Sequence, residues 1–479
     1  MAMGSLAGML KASGYDVRGS DQQMYPPMSD QLAQLTIPCF EGFREENLDW
    51  QPDMVVVGNV ITRQNPEAIA LNKRSLPYTS LPKLLAEFFI QDRHSVVVTG
   101  THGKTTTSGI LAWTLVQSGR DPGFLIGGVL KNFGATYRVG NGDIFVVEGD
   151  EYDTAYFDKV PKFVHYRPTT GIITSVEFDH ADIYEDLARI QREFQKFTQL
   201  IPANGLLVAC VDDPNVRELI TTAPSPVQTY GYSPDAEWTI TDISTANDTT
   251  AFTVSHHTHQ FGRFHTAMIG RHNLLNMLGA TAILAECGLS PEEIDRGFRT
   301  FKGVKRRQEI RGIVNGIVVL DDFAHHPTAV KATVEAVKRH YHGHALWSVF
   351  EPRTATTRRD VFQQEYANAF TGTDAAIITD VDRPEKAPEG QRFSSERLVR
   401  DLKQQGIDAH HISGVDAIVA YLTLHLQPGD VVLIMSNGGF GGIHQKLLDA
   451  LESASRGQQE AGASWEYVPK QELGNEGLA

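Results

Sequence analysis

Cysteine is scarce: Cys39, Cys210 and Cys287 are the whole complement of 479 residues. They are odd in number, far apart and in no metal-ligand spacing, so a disulfide framework and a thiolate metal site are excluded and a reduced, cytoplasmic chain is expected. Long apolar runs are missing as well. None approaches the ~20 residues of a membrane span, and no secretory leader is read ahead of the first domain, so no membrane insertion is expected. Positive charge is also in deficit, with 43 Lys and Arg against 58 Asp and Glu and a formal net charge of −15. Such a surface repels backbone phosphates, and no nucleic-acid partner is expected. An anionic ligand must then be held by local basic clusters. One hydrophobic core does not serve a chain this long, and several domains are expected.

Against these absences stands Ser95–Thr107, SVVVTGTHGKTTT, followed by the apolar run SGILAWTLVQSG. Ser95–Thr99 reads as a buried strand and Thr105 onward as a buried helix ending near Gly119. The glycines between them, Gly100 and Gly103, aim backbone N–H groups and a helix N-terminus at one point, which suits phosphate. Lys104 adds charge for the outer phosphates, and the Thr105 hydroxyl is placed for Mg²⁺. Val98 stands where the usual P-loop has its first glycine, so the loop is a shortened variant. A nucleoside triphosphate site is the better reading than an ordinary glycine turn.

Residues 1–93 open as helix Met3 to Ser13, strand Tyr15–Arg18 and Asp21 just beyond it. That order resembles the second half of a β-α-β nucleotide unit, whose first strand and glycine turn are expected upstream. Met54–Val57 is a further strand, with Asn59 and Arg63-Gln64-Asn65-Pro66 at its end. Residues 94–304 hold the P-loop. Strand Ile144–Val147 runs into Glu148-Gly149-Asp150-Glu151, carboxylates suited to the Mg²⁺ of a P-loop. Strand Gly171–Ser175 leads to Glu177, Asp179 and His180, for which metal binding and a hydrogen-bonded structural role stand level. His256, His257, His259 and His265 fall in an alternating stretch; a hairpin with a solvated face accounts for them, because no carboxylate interleaves. Asn273 and Asn276 project to one side of a helix opened by RHNLLN, with donor and acceptor for an adenine edge. Leu274, Met277, Leu278 and Ile283 face inward.

Residues 305–453 begin with the charged hinge Lys305-Arg306-Arg307 and then alternate strands and helices: Ile317–Leu320, Ala345–Phe350, Ala375–Thr379 and Val431–Met435. Three strand ends carry polar clusters: DDFAHHP at 321–327, EPRTATTRR at 351–359 and SNGGFGG at 436–442. Open parallel sheets bind ligands at such ends, so one site is expected there. Residues 454–479 read as a polar, mobile tail. The fold expected is α/β in three domains, each an open, mostly parallel sheet with helices: Rossmann-like, P-loop ATPase, Rossmann-like.

With GTHGKTTT, RHNLLN, VKRRQE and DDFAHHPT in this order, the chain resembles the Mur ligases, the ATP-dependent amide ligases of cell-wall precursors. YPPMSDQL, GNVITRQNPE, EFDHADIYEDL, FEPRTATTRR and MSNGGFGGIHQKLL resemble one branch more closely. That branch joins recycled L-Ala-γ-D-Glu-meso-diaminopimelate to UDP-N-acetylmuramate, and the competing branch adds L-alanine instead. A P-loop kinase or nucleotide-binding module without ligation is the alternative of another class. The resemblance implies ATP on Gly100, Thr101, His102, Gly103, Lys104, Thr105 and Thr106, with adenine read by Asn273 and Asn276. It implies ribose on Asp322, the γ-phosphate reached by Arg307, and Mg²⁺ on Thr105, Glu148 and His180. Lys104, His180 and Arg307 are the implied catalytic set. Ser20, Asp21 and Asn59 would meet the UDP-sugar, and His326, Arg353 and Arg359 the peptide. Lys196 lies where several members carry a carbamylated lysine, but its spacing does not support an assignment.

Overall fold

The β-branched run His94–Thr99 lies inside a ten-stranded sheet. The computed structural model describes residues 2–24, 28–181 and 183–463, with side chains as far as 456. It divides into two units, Met1–Arg307 and Gln308–Ala479. Among the described residues no helix is long and apolar enough to cross a membrane.

In the first unit the sheet runs His259–Thr266, Thr249–His256, Trp238–Ala246, Val227–Gly231, Leu206–Cys210, Thr170–Ile173, His94–Thr99, Ile144–Glu148, Gly123–Leu130, Ala135–Arg138. Neighbours are parallel from Trp238–Ala246 to Gly123–Leu130 and antiparallel at both margins. A parallel sheet is covered on both faces, and the valines divide accordingly. Val96 and Val98 pack with Ile110, Leu115, Met277 and Phe298 of three helices. Val97 packs on the other side with Phe163, Phe194 and Phe197.

The first helix is Ala2–Ala12, close to its expected span. Its Leu6 and Met9 belong to the core that holds Val97. Gly8 leaves no room for a side chain against Tyr137, and Ser5 hydrogen-bonds Thr136 at 2.6 Å in the interior. The strand expected at Tyr15–Arg18 is instead Gly19–Asp21, paired in parallel with Cys39–Glu41. Asp21 therefore lies within the strand. Val55–Val57 pairs in parallel with Tyr78–Ser80, and these two pairs form separate two-stranded sheets.

In the second unit the order is Glu309–Val314, Ile317–Asp322, Val431–Met435, Leu346–Phe350, Ala375–Ile378, Asp408–His411. Only the first pairing is antiparallel. Helix Ile443–Ala463 covers one face through Leu447, Leu448 and Leu451. The polar tail expected from 454 thus starts as continuing helix; residues 464–479 lie outside the described residues.

Candidate nucleotide and amine sites

The P-loop helix is Lys104–Gln117, and its N-cap is Gly103, left-handed at φ 84° with no side chain capping the first turn. The N–H groups of that turn are what phosphate binding needs. The loop is held from below. Thr101 N–H donates to the Ser175 carbonyl at 2.9 Å, and Glu177 N–H donates to Thr101 Oγ1 at 2.8 Å. His102 N–H donates to Ser175 Oγ at 3.0 Å, and its ring meets Glu177 at 2.8 Å. A Cβ on Gly100 would lie 2.1 Å from Thr174 Oγ1, and one on Gly103 would lie 2.4 Å from Asn276 Oδ1. Positive φ and close neighbours together require glycine at both positions.

Lys104 Nζ donates to both oxygens of Glu151, at 3.0 and 3.2 Å. His180 Nε2 meets Glu151 Oε1 at 2.8 Å, and its Nδ1 meets the Tyr152 hydroxyl at 2.6 Å. His180 is itself left-handed at φ 56°, a conformation uncommon outside glycine. Glu151 is 3% exposed, so a single carboxylate in the interior carries two basic partners. Burial alone would raise its pKa, but Lys104 and the His180 hydrogen bond outweigh burial and hold it below the ordinary value. The reciprocal effect lifts both partners: burial lowers Lys104 and His180, and Glu151, aided by Asp150 and Glu148 at Lys104 and by Asp179 at His180, more than restores them.

Thr105 Oγ1 donates to Glu148 Oε2 at 3.2 Å, and Gly127 N–H donates to Glu148 Oε1 at 2.8 Å. Burial raises the Glu148 pKa, more than Gly127 and Lys104 lower it. A half-buried carboxylate beside a hydroxyl is a hard oxygen set, and it fits Mg²⁺. Asp150 is taken by Lys162 at 2.7 Å. Thr106 is buried in the first turn.

Asn273 and Asn276 are 5% and 8% exposed at the start of helix Arg271–Glu286. Asn273 Nδ2 donates back to the Ile269 carbonyl at 2.8 Å, and Asn276 Oδ1 faces Gly103. Arg307 and His102 both act on His272, and burial together with these two neighbours pushes its pKa down to about 4. Lys104, Glu148, His180 and Asn276 are thus gathered around one loop. Ser20 is not part of that group; its hydroxyl donates to Glu67 at 2.6 Å. Asp21 and Asn59 are exposed. Lys196 pairs with Glu193 on its own helix at 2.8 Å.

In the second unit the three polar strand ends come side by side, because Asp322 and Phe350 both register with Met435. Ser436 Oγ donates to Glu351 at 2.5 Å, and the Arg353 guanidinium leaves no space for a Cβ on Gly438. Arg353 stands 3.7 Å from Glu351 and 3.9 Å from Asp382. Asp322 accepts Gln308 N–H and Ala324 N–H, each at 2.7 Å, so its carboxylate braces the turn around it. His326 caps helix Pro327–His340, and its ring meets Phe362 edge-on at 4.8 Å. Arg359 donates to Gln391 at 3.0 Å.

Sequence reasoning singled out Glu148 from four consecutive positions and missed Glu151. The sequence signal for Glu151 was only its place among carboxylates after a strand. Of the two carboxylates read as companions of His180, Asp179 stays with it and Glu177 serves elsewhere. Glu177 pairs with His102, and Asp179 accepts the His180 backbone N–H at 2.7 Å.

Three family models match in series: "Mur ligase family, catalytic domain" at 1–93, "Mur ligase middle domain" at 98–284 and "Mur ligase, glutamate ligase domain" at 306–438. A UDP-N-acetylmuramate–L-alanyl-γ-D-glutamyl-meso-2,6-diaminoheptandioate ligase of Haemophilus influenzae is 40% identical over 452 residues, 94% of this chain and 97% of that protein. A UDP-N-acetylmuramate–L-alanine ligase of Acetivibrio thermocellus is 34% identical over 440 residues, 91% of each. The crystal structure of a murein peptide ligase from Psychrobacter arcticus, 35% identical, superposes with a TM-score of 0.69 over 94% of this chain and 96% of that one. Likeness sustained through all three segments is more than one shared motif can produce: the chain belongs to the Mur ligase family.

Proposed function

We propose that this chain is an ATP-dependent ligase that joins the amine of L-Ala-γ-D-Glu-meso-diaminopimelate to the lactyl carboxylate of UDP-N-acetylmuramate. The observation that carries the reading is the cluster of Lys104 and His180 on the buried Glu151, beside an uncapped P-loop helix. The carboxylate takes the γ-phosphoryl group of ATP and ADP leaves; the amine then forms the C–N bond and inorganic phosphate leaves. Carboxylate and triphosphate repel each other, so the chain must supply cations where they meet. Lys104 is held at the loop by Glu151, and Arg307 is assigned to the γ-phosphate. Preorganised charge of this kind is usually the largest catalytic contribution. Thr105 and Glu148 would hold Mg²⁺, which supplies charge neutralisation on the phosphates, and His180 is assigned to a second metal position. Asn273 and Asn276 are assigned to the base. Ser20, Asp21 and Asn59 are assigned to the UDP-sugar. Arg353, with Glu351 and Ser436 beside it, is the strongest candidate for the zwitterionic end of the peptide, and Arg359 and His326 are assigned beside it. Asp322 keeps a ribose role only if its oxygens accept a further donor.

The relative that names the tripeptide is the more similar of the two compared here, and that supports the peptide over L-alanine. The test compares phosphate release and amide product with tripeptide, L-alanine and no amine. Turnover with tripeptide alone supports the reading, and preference for L-alanine moves the chain to the other branch. ADP formation that needs no amine and yields no amide makes it a nucleotide hydrolase or kinase.

A further inference from the structure

Far along the central sheet from the P-loop, strand pairing assembles a group that the linear sequence keeps apart. Trp238 registers with His256, which sets the preceding Glu237 against His257, and His257 N–H donates to the Glu237 carbonyl at 2.6 Å. Neighbouring residues of a strand point to opposite faces, so His256 and His257 should diverge. They do not diverge, because His257 opens a two-residue hairpin between His256 and His259 in the left-handed region, φ 53°. That first position normally takes glycine. The turn brings the two imidazoles to 4.5 Å between centroids. The indole of Trp238 lies flat on His256 at 4.1 Å and 14°, fixing its plane. One ligand atom from each of Glu237, His256 and His257 lies within 4.8 Å of the others.

We infer that Glu237, His256 and His257 form a site for a divalent transition-metal ion of the zinc or nickel class, separate from the nucleotide site. Two imidazoles and one carboxylate are a three-ligand set with a position open to water. Imidazole selects these ions over Mg²⁺ and Ca²⁺, so the site does not compete for the metal of the P-loop. Strands Trp238–Ala246, Val227–Gly231, Leu206–Cys210 and Thr170–Ile173 intervene between this hairpin and His94–Thr99. A bound ion would fasten the hairpin tip to the start of the adjacent strand.

The test uses the full chain, free of any affinity tag and of nucleotide, with Zn²⁺ as the probe in calorimetric titration and thermal melting. The wild type should bind saturably and melt higher with Zn²⁺. His257→Gly suits the backbone and should fold, with unchanged or higher melting temperature without metal. It should lose the Zn²⁺-dependent rise and at least about tenfold in affinity, the scale of losing metal-site support. Glu237→Gln provides the second variant, with the same loss expected. Absence of saturable binding, or wild-type affinity in both variants, overturns the inference.

Discussion

Glu151 is the residue on which the site's charges balance. Removing one partner of a buried ion pair leaves an uncompensated charge, at a cost of about 3–5 kcal/mol. Glu151→Gln should destabilise the first unit on that order in denaturant unfolding, and NMR titration should find His180 shifted to a lower pKa. Lys104→Ala should lower ADP formation by at least about 10²-fold in a coupled assay, as expected for a lost preorganised donor; full activity would remove the loop from the mechanism. His272 supplies a pH effect of defined sign. Its folded pKa is pushed from 6.5 down to about 4 by burial, Arg307 and His102. Between those values the unfolded chain holds the extra proton, so stability falls as pH drops from about 6.5 to about 4, by at most ~1.4 kcal/mol per unit. His272→Gln should flatten that part of the profile in urea unfolding at pH 7 and pH 5; parallel profiles would refute it. The places of Lys104 and Thr105 are legible because they follow Gly103 into the first turn of the helix, and that of Glu148 because it ends an apolar strand. That of Glu151 is not, since consecutive carboxylates look alike until the chain beyond the strand shows which one turns inward.

At the scale of elements, the P-loop turn works because it has no side chain in its way. Gly103→Ala forces an alanine to φ 84° and meets Asn276 Oδ1 at 2.4 Å. It should raise the Kd for ATP more than tenfold in calorimetry, while far-UV circular dichroism stays unchanged. Buried parallel strands were readable as short β-branched runs, and Val431–Met435 was placed to the residue. Short, half-exposed elements were not. The strand at Gly19–Asp21 has no apolar residue to mark it, so Val17 drew the reading four positions early. The helix past Leu451 was hidden by its polar composition, although alanine, glutamate and arginine sustain a helix once Leu447 and Leu448 anchor it. The histidine hairpin was legible as a hairpin, but register alone brings Glu237 to it.

Taken whole, the molecule is acidic, with a formal net charge of −15, and the proposed reaction asks it to hold anionic ligands on cations clustered at strand ends. Arg353 and Arg359 illustrate this in the second unit. If they serve the peptide, Arg359→Ala should raise the KM for tripeptide more than that for ATP in steady-state kinetics; the reverse pattern would move Arg359 to the nucleotide. The order of strands has a consequence of another kind. His94–Thr99 is hydrogen-bonded on both sides and sealed above and below, whereas Thr249–His256 and His259–Thr266 lie at the margin. In heavy water the amides of Val96, Val97 and Val98 should therefore exchange only with global opening, long after the marginal hairpins have taken up deuterium. The P-loop is thus tethered to the part of the sheet that lets go last.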